Sequence, residues 1–263
     1  MLYFVATPIG NLKDITVRAI EILKEVDIIA CEDTRKTQIL LNHYNIKKRL
    51  IMYHKNNEKS SANGIIDLLK KGQDVAVVSD AGMPVISDPG EKLVKLLQQE
   101  NLEYSIIPGA NAGLSALVLS GFDALRFSFI GFLPNKNTER KKLLNHIKTF
   151  QTTLIFYVAP HDVEKTLEEC YTVFGEREAC LVKEITKMFE TKECFVLGQK
   201  PSLEIKGEFV LIVEGASNEN NELENLSIQE QVEFYIESGM DKKSALKTVA
   251  KANKIKNIYN YIK

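Results

Sequence analysis

Short apolar runs alternate in the first part of the chain with longer segments whose apolar residues recur at helical spacing. The segment Ile15–Glu25, for example, places Val17, Ile20 and Leu23 on one helical face. The short runs have the continuous apolar character of buried parallel strands, and they are Leu2–Thr7, Asp27–Cys31, Leu50–Met52, Asp74–Val78 and Tyr104–Ile107. Strands that alternate with helices predict a first α/β domain with a parallel sheet, residues 1–110.

The pattern changes from Phe127 onward. A strong strand at Thr153–Val158 and a helix that ends near Phe174 are followed by three apolar segments without helices between them, Ala179–Val182, Cys194–Leu197 and Phe209–Val213. Strands that follow one another directly pair as hairpins. We therefore predict a second α/β domain with a mixed sheet, residues 111–216.

The rest of the chain is polar and then lysine-rich. Residues 217–226 have no apolar period and are interpreted as a linker. Residues 227–263 contain short helical patterns, which fit either a helix-turn-helix-like module or a small helical tail packed on the second domain. Because 34 Lys and Arg nearly balance 35 Asp and Glu, a polyanionic partner must meet a local basic patch, and the best such patches are this tail and Asn135–Lys142.

Several loops of similar composition follow the predicted strands. The longest is Ser79–Gly90, which contains two glycines and two prolines. The prolines fix the backbone, and the glycines let a ligand approach the main chain closely. Pro8–Asp14 follows the first strand, where Asp14 is predicted to cap the next helix, and Pro108–Gly113 follows the fifth. One such loop is as often a plain surface turn, but several at the same edge of a sheet favour a small-ligand site. Without a GxGxxG pattern, a dinucleotide-binding Rossmann site is unexpected.

Two of these strand ends carry polar clusters. Glu32-Asp33-Thr34-Arg35 is either an N-cap with a solvated charge pair or a site wall whose carboxylates accept a proton and whose arginine holds a phosphate. The loop Tyr53–Lys59 combines an aromatic ring, a histidine, two asparagines and two lysines. That mixture suits contact with a nucleotide, although it equally fits a flexible solvated loop.

Cysteine usage and the amino terminus bear on the cell compartment. The four cysteines, Cys31, Cys170, Cys180 and Cys194, have neither CxxC spacing nor a nearby histidine cluster, so we interpret them as buried thiols in a reducing compartment. The apolar start lacks a basic leader, and no apolar run approaches the ~20 residues of a membrane span. The sequence predicts a soluble, cytoplasmic protein.

Seven motifs in this order resemble the ribosomal RNA small subunit methyltransferase I family, part of the tetrapyrrole methylase superfamily. They lie within Leu2–Gly215 and are Val5–Ile15, Glu32–Arg35, Ser79–Gly90, Pro108–Gly109, Gly131–Pro134, Phe156–Tyr157 with Pro160–His161, and Lys206–Val210. The resemblance implies an α/β, two-domain tetrapyrrole-methylase-like fold with a short helical carboxyl-terminal tail. It also implies a homodimer that uses S-adenosylmethionine to methylate the ribose 2'-oxygen of a cytidine in small-subunit (16S) ribosomal RNA.

The resemblance also implies site residues. The cofactor loops would contribute Pro8, Ile9, Asp80, Ala81, Gly82, Val85, Ile86, Asn111, Ala112, Tyr157, Val158 and Ala159. At family-matching positions, the hypothesis assigns Glu32 and Asp33 to orient the hydroxyl or accept its proton, with Arg35 beside them as the third catalytic residue and a phosphate ligand. The substrate side would consist of His54, Asn57, Lys187 and Glu184. This chemistry requires no metal.

This chain departs from the family pattern in three places, and two alternative functions also remain open. Met83-Pro84 replaces the usual threonine-proline, Ala110-Asn111 replaces the usual proline-serine, and the tail ends early. The first alternative is a methylase of the same superfamily that acts on a tetrapyrrole or on a diphthamide precursor. The second is an RNA-binding protein without catalytic activity.

Overall fold

The computed structural model describes residues 1–55, 57–217, 226–253, 255 and 258. The chain divides into one compact unit, Met1–Glu214, and a second, Gly215–Lys263. The first unit contains two five-stranded sheets. The linker predicted at 217–226 falls mostly on residues 218–225, which lie outside the described residues.

The amino-terminal sheet is parallel, as predicted. Its strands are β1 (Leu2–Val5), β2 (Ile28–Cys31), β3 (Arg49–Met52), β4 (Val75–Val78) and β5 (Tyr104–Ile107), in the order β3-β2-β4-β1-β5. The helices are α1 (Val17–Glu25), α2 (Thr34–His43), α3 (Glu58–Lys70) and α4 (Glu91–Gln99). Residues of α1 and α2 pack in one apolar cluster and residues of α3 and α4 in another, so helices cover both faces of the central strands.

The predicted cap of the first helix was wrong. Asp14 belongs to a short 3-10 turn, Leu12–Asp14, and α1 is capped by Thr16, whose hydroxyl accepts the backbone N–H of Ala19 at 3.1 Å. The carboxylate of Asp14 instead accepts a hydrogen bond from the hydroxyl of Thr186. A partner so distant along the chain leaves no trace in the local sequence pattern.

The second sheet is mixed, which confirms the hairpin interpretation. Its strands are β6 (Phe127–Phe132), β7 (Thr153–Val158), β8 (Glu178–Lys183), β9 (Thr191–Val196) and β10 (Phe209–Val213), in the order β6-β7-β10-β8-β9. Only β6 and β7 pair in parallel. Helix α5 (Ala112–Ser120) packs on one face, while α6 (Asn137–Ile147) and α7 (Val163–Phe174) pack on the other.

The second unit contains a helical pair. Helix α8 (Ile228–Glu237) begins at Ser227, which forms a reciprocal capping box with Glu230, and α9 (Lys242–Ala252) is capped by Asp241. Apolar residues of both helices form one small core. None of the helices in the described residues is long and apolar enough to cross a membrane.

Candidate functional site

A cavity of about 340 Å³ lies where strand ends of the two sheets meet within the first unit. This volume is in the usual range for small-molecule sites, and most of the lining is apolar. Loops after β1, β4, β5 and β7 and the start of β10 supply the walls. The lining residues are Ile9, Ala81, Gly82, Met83, Ile86, Ser87, Asp88, Asn111, Ala112, Phe132, Tyr157, Val158, Ala159, Pro160, Ile185, Glu208, Phe209 and Val210.

The loop after β4 is locked against the loop after β1 by backbone hydrogen bonds. Thr7 donates its N–H to the carbonyl of Gly82 at 2.9 Å, and Gly82 donates to the carbonyl of Thr7 at 3.0 Å. Gly82 has a φ of +78°, and a Cβ atom there would lie 3.2 Å from a methyl group of Ile9. The hydroxyl of Ser79 adds a bond to the Gly82 carbonyl at 3.1 Å. This double contact fixes the floor of the cavity.

The far half of the same loop is strained and then pinned. Val85 and Ser87 have φ values of 76° and 66°, which are unfavourable for residues with a side chain and most of all for a β-branched one. The loop ends at Gly90, whose N–H donates to the Glu58 carboxylate at 3.1 Å, and Lys92 pairs with that carboxylate at 2.9 Å. These contacts maintain the strained conformation, in which Ser87 and Asp88 lie on the cavity wall and Val85 packs against the amino-terminal core.

The opposite wall is built from the start of α5 and the end of β7. Asn111 caps α5 by accepting the Leu114 N–H at 2.9 Å, and the hydroxyl of Tyr157 accepts the Gly113 N–H at 3.3 Å. The Tyr157 ring also packs edge-on against Phe129. These contacts fix both side chains before any ligand binds, as a preformed site requires.

Asp88 is the one acidic residue of the loop after β4 that lies on the cavity wall. Burial raises the pKa of its carboxyl to about 6; the charges of Glu32 and Asp80 push it the same way, and a hydrogen bond from Ser79 opposes them. Asp88 belongs to a loop predicted to bind a ligand, but the sequence pattern predicted no role for this residue. The feature that distinguishes Asp88 from Asp80 is its burial in the folded protein. The sequence does not show this burial, because the two residues have similar neighbours along the chain.

The Glu32–Arg35 cluster lies next to the cavity but does not line it. Asp33 caps α2, as the structural alternative predicted, and its carboxylate also binds the Arg35 guanidinium at 3.0 and 2.7 Å. Arg35 lowers the pKa of Asp33 to about 2, and the Arg35 side chain is 89% exposed. Burial, helped by the charge of Asp80, raises the pKa of Glu32. Asp33 therefore remains a paired anion, whereas Glu32 binds a proton more readily than an exposed glutamate.

Asp80 supports this cluster rather than lining the cavity. One carboxylate oxygen accepts the backbone N–H of Asp33 at 3.1 Å, and the other pairs with Lys36 at 2.8 Å. Pro8 and Val85, two other predicted cofactor residues, are also absent from the wall. The predicted residues that do line it are Ile9, Ala81, Gly82, Ile86, Asn111, Ala112, Tyr157, Val158 and Ala159.

The β8–β9 loop (residues 184–190) connects the two halves of the first unit. The ammonium group of Lys187 binds Glu184 and Glu208, each at 2.9 Å. Its alkyl chain crosses Gly10, where a Cβ atom would come within 2.5 Å of the lysine Cγ, so only glycine fits there. Glu208 itself lines the cavity. The predicted substrate residues Lys187 and Glu184 thus lie beside the cavity wall and bind each other.

His54 and Asn57, the other predicted substrate residues, belong to one turn after β3. Asn57 accepts the His54 backbone N–H through its side-chain oxygen at 2.8 Å and donates to the Met52 carbonyl at 3.3 Å. The His54 side chain is partly buried and lies close enough to Glu32 to affect that carboxyl electrostatically. Neither residue lines the cavity.

Comparison with known proteins identifies the family. Residues 1–199 match the model of the Tetrapyrrole (Corrin/Porphyrin) Methylases. The ribosomal RNA small subunit methyltransferase I of Halalkalibacterium halodurans is 45% identical over 98% of this chain and 93% of its own length. The protein of the same name from Bacillus subtilis is 44% identical over 95% of this chain and 89% of its own length.

Solved structures share the fold at low sequence identity. A diphthine synthase matches 85% of this chain and 94% of its own with a TM-score of 0.65 at 17% identity. The methyltransferase CobJ matches 82% and 94% with a TM-score of 0.63 at 21% identity. The predicted fold and family are therefore confirmed: the chain belongs to the tetrapyrrole methylase family, in its ribosomal RNA small subunit methyltransferase I branch, and is a methyltransferase with S-adenosylmethionine as cofactor.

Proposed function

We propose that this chain transfers the methyl group of S-adenosylmethionine to the ribose 2'-oxygen of a cytidine in small-subunit ribosomal RNA. Small-subunit ribosomal RNA as the substrate is supported by two relatives whose names contain those words and which match nearly the full chain at 45% and 44% identity. The cytidine 2'-oxygen is the target that the motif resemblance implies. The observation that carries the reaction type is Asp88, a carboxyl group with a raised pKa in the wall of a ligand-sized cavity. A carboxylate there can accept the proton that a hydroxyl loses on methylation.

The cavity suits the cofactor because of the residues that line it and because its backbone is already fixed in place. Apolar side chains such as Ile9, Ile86 and Phe209 provide surface for a purine ring, and the fixed backbone of the Gly82 loop and Asn111 provide polar groups. S-adenosylmethionine supplies a methyl group activated by a positively charged sulfonium, so the protein need only align the groups and remove a proton. We propose that the lining residues hold it, and that Asp80 and Pro8 act by shaping their loops.

Asp88 fits the role of proton acceptor better than the residues first assigned to it. With a pKa of about 6 it is mostly ionised at neutral pH yet more basic than an exposed carboxylate. Glu32 is the second candidate, because its pKa is also raised. Asp33 is occupied by Arg35, and that pair suits a role in orienting the RNA backbone through the exposed guanidinium.

The pH dependence of methylation tests this assignment. As the pH falls through about 6, Asp88 takes up a proton and can no longer accept one from the ribose, so we expect kcat to fall about tenfold per pH unit below that value. The measurement is the single-turnover methylation rate across the acid range with saturating cofactor and RNA. A rate that stays flat down to pH values near 4 would rule out a carboxyl with a raised pKa as the base.

The β8–β9 loop offers a surface for RNA beside the cavity. It is held by the Thr186–Asp14 bond and by the Glu190 carboxylate, which accepts the Thr186 N–H at 2.5 Å. The loop presents Met188 and Phe189 to solvent with relative exposures of 89% and 73%. Exposed aromatic rings bind unpaired RNA bases by stacking. We assign this loop, with Lys187, Glu184 and the His54–Asn57 turn, to the substrate side.

Removing the exposed ring of Phe189 should weaken the binding of RNA but not that of S-adenosylmethionine. We expect Phe189→Ala to raise KM for RNA roughly 5- to 150-fold, because stacking on one base contributes about 1–3 kcal/mol. The KM for S-adenosylmethionine should not change. Phe189→Trp should restore RNA binding. Ile39→Ala, which removes an apolar side chain of similar exposure (65%) from α2, serves as the matched control. Equal KM values for RNA in Phe189→Ala and Ile39→Ala would remove the loop from the substrate side.

A homodimer is proposed from the distribution of exposed apolar side chains. Strands β5 and β6 are sheet edges, and Ile106, Phe127 and Phe129 on them are exposed, as are Leu114 and Val118 on α5. Exposed apolar side chains on edge strands favour association with another copy. Sedimentation of the purified chain at micromolar concentration tests this, and a monomer throughout would contradict it.

A ribosomal substrate also supports the cytoplasmic location predicted from the sequence.

The decisive experiment uses small ribosomal subunits from a strain that lacks this gene. The purified chain is incubated with these subunits, or with their naked RNA, and labelled S-adenosylmethionine, and the RNA is digested to nucleosides. We expect label in 2'-O-methylcytidine. Calorimetry with S-adenosylmethionine distinguishes an RNA-binding protein without activity, which would bind no cofactor. Cofactor binding without label in RNA would favour a tetrapyrrole or diphthamide-precursor substrate.

A further inference from the structure

Two cysteines face each other across the hairpin whose tip is the β8–β9 loop. Cys180 on β8 and Cys194 on β9 are direct partners in the antiparallel register, and their Sγ atoms lie 2.6 Å apart. Cys180 is buried, whereas Cys194 is exposed because β9 is an edge strand. The sequence-based interpretation of four buried thiols is therefore wrong for Cys194. A pair of thiols, one of them accessible, is a feature that methyl transfer does not use.

The backbone hydrogen bonds show that Cys180 and Cys194 occupy the kind of cross-strand position that favours a disulfide. Glu214 donates its N–H to the carbonyl of Glu178, so even-numbered residues of β8 point their backbone groups towards β10. Leu197 donates to the carbonyl of Arg177, so odd-numbered residues on that side of the hairpin face β9. Cys180 and its partner therefore form a non-hydrogen-bonded pair, in which Cα atoms approach to about 4.5 Å and side chains are closest. A disulfide needs Cα atoms about 4.4–6.8 Å apart.

We propose that Cys180 and Cys194 form an oxidisable dithiol that closes into a cross-strand disulfide on reaction with a small-molecule disulfide of the glutathione type. The Cys194 thiolate attacks the small disulfide, forms a mixed disulfide and releases one thiolate. The Cys180 thiolate then attacks the Cys194 sulfur and releases the second. Two protein thiols are oxidised, and one small disulfide is reduced to two thiols.

The surroundings determine the order and the speed of the two steps. Only Cys194 of the pair is accessible to a solution oxidant. Burial raises the pKa of the Cys180 thiol, so little of it is ionised at neutral pH and the second step accelerates as the pH rises. The cross-link would hold the hairpin just below Glu184 and Lys187, which pair across its tip.

Peptide mapping of the full-length chain tests the proposal. The folded protein is incubated with oxidised glutathione in mildly alkaline buffer, free thiols are alkylated, and the digest is analysed by mass spectrometry. We expect a Cys180–Cys194 linked peptide, with the buried Cys31 and Cys170 alkylated as free thiols after denaturation. Reduction should return all four thiols.

Two variants separate the steps. Cys194→Ser, at an exposed position that tolerates the change, should leave Cys180 unmodified after the same treatment. Cys180→Ser should stop at a stable glutathione adduct on Cys194. A wild-type chain that accumulates the Cys194 adduct without the linked peptide, or that links Cys194 to a second chain instead, would overturn the proposal.

Discussion

Asp88→Asn should lower the methylation rate by about 10²- to 10⁴-fold, the usual effect of removing a general base. Asparagine has nearly the shape of aspartate but cannot accept a proton at neutral pH. Because Asp88 lies on the cavity wall while its loop is fixed by other residues, we expect the loop to keep its conformation. The measurements are single-turnover rates with the ribosomal substrate and calorimetric affinity for S-adenosylmethionine, which should change far less than the rate.

Stability provides the control for this variant. Burial raises the pKa of Asp88 from 3.8 to about 6, so the folded chain binds this proton more tightly than the unfolded chain does. The contribution of the carboxyl to folding is therefore most favourable below pH 3.8, declines between 3.8 and about 6, and is unfavourable at neutral pH. Asp88→Asn should be at least as stable as the parent at pH 7. A rate loss accompanied by lower stability would point to damaged folding instead.

The comparison with Glu32→Gln distinguishes the two candidate bases. Because the charge of Glu32 contributes to the raised pKa of Asp88, removing it should move the acid limb of the rate profile to lower pH and leave most of the activity. If Glu32→Gln lost the activity and Asp88→Asn kept it, the proton acceptor would be Glu32, as the sequence predicted, and not Asp88.

The elements of this fold were predictable because their signals are local. Continuous apolar runs at Val75–Val78 and Thr153–Val158 identify buried strands, and the absence of helices between the later runs identifies antiparallel pairing. The loops at the strand ends follow from that topology, and Gly82 and Asn111 of these loops lie on the cavity wall. Their contact with the cofactor stays a prediction. The position of each such residue depends mainly on its own strand or helix.

Residue roles were harder to predict because they depend on distant partners. Asp80 and Asp88 share one loop, yet Lys36 pairs with the first and burial in the cavity wall raises the pKa of the second. The cap assigned to Asp14 failed because its carboxylate binds Thr186 on the β8–β9 loop. The segment Asn135–Lys142, interpreted as a basic surface patch, contains an arginine that is fully buried. The sequence shows which residues are charged, but it does not show whether a charged side chain faces the solvent or the protein interior.

That buried arginine, Arg140, carries the largest expected effect on stability. Its side chain is only 2% exposed and binds Asp162 and Glu169, each at 2.6 Å, and Thr166 at 3.1 Å. Arg140→Ala leaves two carboxylates in a poorly hydrated site with no cation between them. We expect the free energy of unfolding of the first unit to fall by about 3–5 kcal/mol, measured by denaturant titration at neutral pH.

The matched control lies at the start of the same helix. Lys136→Ala removes an ion pair with Glu139 in which both side chains are more than half exposed, so we expect a change of about 0–0.5 kcal/mol. Asp162 ends the short turn that carries Pro160 on the cavity wall, so Arg140→Ala should also weaken binding of S-adenosylmethionine in the fraction that stays folded. Equal stability of the two variants would mean that water already solvates the Asp162 and Glu169 carboxylates, and that α6 is held to α7 by apolar packing alone.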